Sequence, residues 1–206
     1  MDGISAILLA AGESTRMGRL KALLPWQGVT LVEYQVQSIQ QVGVSDVIVV
    51  VGHRGDEVAA KVEGWPGVTV VVNPDYQQGK TTSVKAGLRS LPHSTKAILF
   101  MAVDQPRPPH IIQAVIKAHI ENDPLITSPV YQEHGGHPIM FSYSLLDELM
   151  NITEEGQGLK EVTVRHNDEI YALPVDNPIV RLDLNSPDDF QEAARVFASY
   201  LSSPIK

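Results

Sequence analysis

Between Leu8 and Pro25 the chain reads LLAAGESTRMGRLKALLP, a stretch where side-chain bulk disappears and cations gather. Ala10, Ala11 and Gly12 end an apolar run at Leu9, and Arg16, Gly18, Arg19 and Lys21 lie on the polar residues beyond. Small residues let backbone N–H groups converge on anionic oxygens, and cations beside them neutralise the charge. Three cations against Glu13 give the stretch +2 in a chain of net charge −8. Phosphate suits such a stretch; a plain strand-to-helix turn with exposed cations is the alternative. Spacing excludes two better-known phosphate loops. G-x-G-x-x-G is absent, and Gly12 and Gly18 stand one residue too far apart for the Walker pattern, with Arg19 where that pattern has lysine.

Acidic candidates come later. Asp104 ends the apolar run ILFMAV and precedes Gln105-Pro106, so it reads either as a turn-forming residue or as a carboxylate aimed into a ligand crevice. Mg²⁺ in phosphate chemistry is commonly held by one or two carboxylates plus phosphate oxygens and water. Asp183, in RLDLNSPDDF, reads as a second strand-end acid, with Asn185 on the same side. Asp188 and Asp189 read as first-turn acids of a helix. Asn73-Pro74 leads to Gly79 and on to Ser83 at a helix start, which suits a nucleobase edge, an anion or simple capping. His134-Gly135-Gly136-His137 has too few ligands for zinc.

Positioning these residues takes strands that deliver their ends to one edge. Apolar runs at 4–9, 47–51, 68–72 and 98–103 alternate with helix-period segments at 31–42, 56–62, 80–90 and 109–121. Runs apolar throughout suit strands covered on both faces. The rhythm predicts an α/β fold, a Rossmann-like doubly wound, mostly parallel sheet with helices on both faces. In such sheets ligands sit beyond the carboxyl ends of the strands, where the loop at Gly12, Gly52-His53-Arg54, Asn73 and Asp104 all fall. Further on, the sequence predicts strands at 125–128, 137–141, 170–175 and 179–184. It also predicts helices at 142–150, 156–166 and 187–201, the last capped by Ser186, and a loose tail at 202–206.

At 206 residues the expectation is one domain, with a nucleotide-binding half over about 1–125 and an acceptor half over about 126–206. Cysteine is absent, which excludes disulfides and thiolate metal sites. The acidic balance argues against non-specific nucleic-acid binding. The first residues read as strand rather than as a basic region with a signal core, and no apolar run reaches membrane-spanning length, so the cytoplasm is the expected location.

The ordered motifs carry a resemblance. L-A-A-G-x-S-x-R-M-G-x-x-K runs from Leu9 to Lys21, and N-P-x-x-x-x-G-x-x-x-S-x-x-x-G-L from Asn73 to Leu88. Asp104-Gln105-Pro106, Gly136-His137-Pro138 and D-x-N-[ST]-P-x-D at 183–189 follow. The set resembles the nucleotidyltransferases that act on the molybdenum cofactor, and is most similar to their cytidylyltransferases. The resemblance implies Mg²⁺-dependent transfer of CMP from CTP to the terminal phosphate of molybdopterin, with release of pyrophosphate. It implies that Ala10 to Gly18 wrap the triphosphate and that Arg16 and Lys21 bind its oxygens. Asp104 and Asp183 would hold Mg²⁺, while Asn73, Gly79 and Ser83 would lie along base and ribose. Gly135, Gly136, His137 and Pro138, with Gly156 and Gly158, would face the pterin. A molybdoenzyme receiving the product is the implied protein partner. Gln157 and Asn185 stand where related sequences often carry acids, which leaves Asp183 as the expected metal ligand. Rival readings are a transferase using GTP, one using another phosphorylated acceptor such as a sugar phosphate, and a non-catalytic carrier of the cofactor.

Overall fold

The computed structural model describes residues 3–202. Its chain alternates strand and helix through β1 (Ile4–Ala10), α1 (Leu31–Gln41), β4 (Asp46–Val51), α2 (Gly55–Val62), β5 (Val68–Val72), α3 (Lys80–Arg89), β6 (Ala97–Ala102) and α4 (Pro109–Asn122). Two short strands, β2 (Pro25–Trp26) and β3 (Val29–Thr30), make a separate hairpin. The rest comprises β7 (Ile126–Tyr131), β8 (His134–Gly135), β9 (Ile139–Ser142), α5 (Leu146–Met150), α6 (Leu159–Arg165), β10 (Ile170–Pro174) and α7 (Pro187–Ser202).

The main sheet runs β5-β4-β1-β6-β9-β7-β10, with β8 paired to β7. β1 is flanked in parallel by β4 and β6, and β9 is antiparallel to both its neighbours. Successive strand side chains point to opposite faces, so a strand covered on both faces must be apolar at every position. β1 obeys at all but one position: Ala6, Leu8 and Ala10 pack with α1, α4 and α7, while Ile7 and Leu9 pack with α3 and α5, and the buried Ser5 hydroxyl is satisfied by Thr95 Oγ1 at 2.8 Å. β5 is different. It forms one edge of the sheet and is only half buried, with Val72 62% exposed, because no strand pairs with its outer side among the described residues.

Chain order leaves β1 toward β4 and β5, then returns to place β6 on the opposite side of β1. Loops after β1 and β6 therefore diverge and leave a crevice at their carboxyl ends. Leu9 sits beside Ala102 in register, and the Val103 N–H donates to the Leu9 carbonyl at 2.9 Å, which fixes where Asp104 emerges.

Two expectations fail in the second half. Residues 179–184 form no strand; Pro178–Arg181 is a 3-10 turn whose start is capped by the Asn177 side chain, 2.9 Å from the Ile179 N–H. The carbonyls of Val180 and Leu182, which a neighbouring strand would have bonded, are taken by the Arg107 guanidinium. Residues 142–150 are not one helix: Ser142 ends β9, a 3-10 turn covers Tyr143–Leu145, and α5 follows. α7 ends at Ser202, and the rest of the expected loose tail, residues 203–206, lies outside the described residues.

Among the described residues, no helix is long and apolar enough to cross a membrane. α7 is held by an aromatic cluster, Phe197 meeting Trp26 and Tyr34 edge-on at ring separations of 5.1 and 5.7 Å. Phe197 is fully buried, so Phe197→Ala removes its transfer energy and leaves a cavity. A loss of about 3–5 kcal/mol is expected in urea unfolding. A loss below about 1 kcal/mol would mean that α7 adds little to the core.

Candidate active site

The crevice beyond β1 and β6 is a cleft of about 340 Å³, within the roughly 300–1,000 Å³ usual for small ligands. Leu9, Ala10, Ala11 and Gly12 form one wall, and Gly79, Lys80 and Ser83 at the start of α3 form another. Asp104 enters from the end of β6, and Asn185 from the segment before α7. Ser14, Arg16 and Lys21 close the cationic side. The loop that carries them is folded by 3-10 turns at Thr15–Met17 and Lys21–Leu23, and the Lys21 N–H donates to Ser14 Oγ at 3.0 Å. Gly18 ends the first turn at φ 65°, the left-handed region that favours glycine, and lies outside the cleft wall.

Asp104 and Asn185 converge on Lys21. Lys21 Nζ donates to Asp104 Oδ2 at 2.8 Å and to Asn185 Oδ1 at 3.2 Å. Arg16 Nη2 reaches the same Asn185 oxygen at 3.4 Å. The Lys21 side chain is 12% exposed and that of Asp104 28%, so the pair faces the cleft without being sealed in. A carboxylate and an amide oxygen that already embrace an ammonium present the hard oxygen donors that Mg²⁺ prefers. No group of three or more His, Asp or Glu side chains stands ready to hold a metal among the described residues. A divalent ion here would complete its shell with phosphate oxygens and water, as Mg²⁺ commonly does.

The structure sorts the candidate residues. Asp183, expected beside Asp104, instead accepts from Gln105 Nε2 at 2.7 Å and does not line the cleft; Asn185, the less expected ligand of the two, does. Strand parity cannot place these two side chains, because 178–184 is a turn and an irregular segment. Asn73 is buried behind the cleft, donating to Thr82 Oγ1 and Ser83 Oγ at 2.8 and 2.9 Å and accepting from the Asp75 N–H. It braces the start of α3 and leaves Gly79 and Ser83 on the wall. Gly79 lies at φ 124°, and a Cβ there would fall 2.3 Å from the Glu154 carboxyl carbon. Glu154 Oε1 accepts from the Thr81 N–H at 2.5 Å, so the start of α3 already holds an anion, a contact between distant loops that no local pattern announces. Tyr76 and Lys80 also line the cleft, and no motif singles them out.

The glycine and proline candidates of the second half lie outside the cleft wall. Gly136, His137 and Pro138 follow the β8 hairpin and pack against the 3-10 turn, with the His137 N–H donating to Val180 O at 2.8 Å. A Cβ on Gly136 would sit 2.4 Å from that carbonyl, so only glycine fits. Gly156 and Gly158 belong to the loop that carries Glu154, and Gly158 approaches the Thr81 methyl group.

Behind Asp104 lies Arg107, fully buried, a residue that sequence reasoning misses. Burial pushes its guanidinium down to about 10, opposed by the charges of Asp183 and then Asp104. Burial also pushes His137 down to about 3, with help from Arg107 and Lys80 and against Asp104. Its Nδ1 is buried with no hydrogen-bond partner among the described residues. The unfolded chain protonates this histidine near its ordinary value and the folded chain only near 3, so between the two the unfolded state binds more protons and stability falls as pH falls. The loss is at most about 1.4 kcal/mol per pH unit from this group. Urea midpoints measured from pH 6.5 down to 4.5 should fall more steeply in the wild type than in His137→Asn. Parallel slopes would contradict the assignment.

Comparison with known proteins gives the family and the fold. Residues 6–170 match the MobA-like NTP transferase domain. The chain is 32% identical over 193 residues to the molybdenum cofactor cytidylyltransferase of Escherichia coli (strain K12), spanning 92% of this chain and 95% of that protein. Among solved structures it is similar to Rv0371c from Mycobacterium tuberculosis H37Rv, with a TM-score of 0.81 and 26% identity over 93% of this chain and 97% of that one. A nucleotidyl transferase from Methanothermobacter thermautotroptrophicus gives a TM-score of 0.80 and 26% identity over 96% and 98% of the two chains. By sequence and by fold the chain belongs to the MobA-like NTP transferase family and is an enzyme of the nucleotidyltransferase type.

Proposed function

We propose that this enzyme transfers CMP from CTP to the terminal phosphate of a molybdopterin-type acceptor and releases pyrophosphate, with Mg²⁺ as its metal. The observation that carries the proposal is the meeting of Asp104 and Asn185 on Lys21 at the mouth of a small-residue cleft between β1 and β6. Support for cytosine and for the pterin comes from the similarity to the E. coli cytidylyltransferase.

In this reading the backbone of Ala10 to Gly12 cradles the triphosphate, and Gly79 and Ser83 line the base and ribose. An oxygen of the acceptor phosphate bonds to the α-phosphorus as the bond from that phosphorus to the β-bridging oxygen breaks. Pyrophosphate leaves opposite the incoming oxygen. Both reactants are anions, and little covalent help is needed from protein, so positioning and cationic charge carry the catalysis. Arg16 and Lys21 offset charge on the departing pyrophosphate. Mg²⁺, held by Asp104 with Asn185 or Asp183, supplies Lewis-acid charge on the phosphate oxygens when bound. The segments 135–138 and 156–160, from the half of the chain over about 126–206, form the acceptor side. The product passes to a molybdoenzyme.

The test mixes the protein, Mg²⁺ and molybdopterin with CTP or GTP and follows pyrophosphate. Release with CTP in clear excess over GTP is expected. Release with GTP alone would overturn the cytidylyl assignment, and release with neither would overturn the reaction. Labelled CTP offered with sugar phosphates separates a different acceptor.

A further inference from the structure

Arg107 donates four hydrogen bonds, all to backbone carbonyls: Nε to His137, Nη1 to Pro106 and Leu182, and Nη2 to Val180, each at 2.9 Å. The acceptors come from three stretches of chain: the loop after β6, the Gly136–Pro138 loop, and the segment running from the 3-10 turn toward Asn185. No carboxylate lies within ion-pair distance of it among the described residues, although a buried charge normally demands one. Asp183 and Asp104 act on it only through space. The same three stretches are laced further, by Leu184 N–H to Asp104 O at 2.8 Å and His137 N–H to Val180 O at 2.8 Å.

We infer that Arg107 is a positioning residue, a buried guanidinium joint that sets the loop bearing Asp104 against the segment bearing Asp183 and Asn185 and against the acceptor-side loop at His137. The inference rests on the nucleotidyl-transfer reading for its purpose but not for its geometry. Only arginine offers a rigid fork of N–H groups able to serve carbonyls in several directions; a lysine ammonium on a thinner stem cannot span them. The retained positive charge adds a second effect. It offsets the charges of Asp183 and Asp104, which act on it through space. Arg107 does not line the cleft, and its four hydrogen bonds go to neither the Ala10–Gly12 wall nor the start of α3. Its influence should therefore fall on metal and acceptor, not on nucleotide.

The experiment compares wild type, Arg107→Lys and Arg107→Gln by amide hydrogen exchange and by Mn²⁺ binding. In Arg107→Gln, exchange should speed up about tenfold or more at 136–137 and 182–185 together, while β1 and β4 keep their protection. Exchange that is unchanged at either segment, or that rises evenly across the sheet, overturns the joint. Half-saturating Mn²⁺, followed by electron paramagnetic resonance with CTP present, should rise about tenfold, with CTP binding held within about twofold. Arg107→Lys should fall between the two. Equal losses in metal and CTP binding would mark Arg107 as general scaffolding and overturn the positioning role. If the wild type itself binds neither Mn²⁺ nor CTP, the nucleotidyl-transfer reading fails, and the exchange data alone then decide the joint.

Discussion

Asp104→Ala is expected to lower turnover about a hundredfold or more while CTP still binds, the size of effect seen when one charge contact made in a transition state is removed. The side chain stands at the end of β6, beside the β1 loop, and faces the cleft. Its carboxylate is one of two side-chain groups whose oxygens accept from Lys21 Nζ. Asn185→Ala should share much of the loss, because Asn185 supplies the other oxygen. Asp183→Ala should lose less, since that carboxylate is bonded to Gln105 and stands back from the cleft. Steady-state pyrophosphate release at several Mg²⁺ concentrations measures all three. A carrier that binds nucleotide without chemistry would bind CTP tightly, release no pyrophosphate and be indifferent to Asp104→Ala. A wild-type rate in Asp104→Ala would remove the metal side of the proposed mechanism.

What the sequence makes legible follows from how local the cause is. β1, β4 and β6 are covered on both faces, and each is therefore apolar nearly throughout, Ser5 of β1 and Asp46 at the start of β4 excepted. Their ends are legible for the same reason, and so Gly12 and Asp104 can be named from residue order alone. The segment 179–184 looks equally strand-like, yet its carbonyls are bonded by a guanidinium from a loop far away in sequence. No periodicity encodes that partner. A lone arginine in a loop reads as a surface cation, because arginines are rarely buried whole, and Arg107 is the exception. Asn185 ranks below Asp183 because it stands where related sequences often carry an acid, and residue order does not reveal that Asp183 turns to Gln105 instead of the cleft. Glu154 meets the start of α3 across distant loops, beyond the reach of a local capping rule. The readable part is thus the sheet and its strand ends; the unreadable part is the lacing between loops that gives those ends their distances.

Lys21→Ala is expected to lower turnover with CTP by about a hundredfold, yet to tighten Mn²⁺ binding measured without nucleotide. The opposite signs follow from the geometry. The Lys21 ammonium sits where a cation would meet Asp104 and Asn185, 2.8 and 3.2 Å from their oxygens. A metal ion arriving alone must therefore displace that ammonium or be repelled by it. Two unit charges about 4 Å apart interact by about 4 kcal/mol at the effective dielectric near a protein surface, before desolvation and side-chain entropy are subtracted. Removing the ammonium frees the carboxylate, and a tightening of several-fold is what survives those subtractions. A triphosphate changes the balance, because it offers Lys21 another set of anionic oxygens. The ammonium can then leave Asp104 as nucleotide and metal enter together, which couples metal binding to nucleotide binding. Without Lys21 the metal still binds, but charge on the departing pyrophosphate loses its neighbour. Manganese titrations with and without CTP, set beside turnover, distinguish this exchange from a fixed structural ion pair. If Lys21→Ala weakens metal binding and turnover alike, the lysine is holding Asp104 in place rather than competing for it.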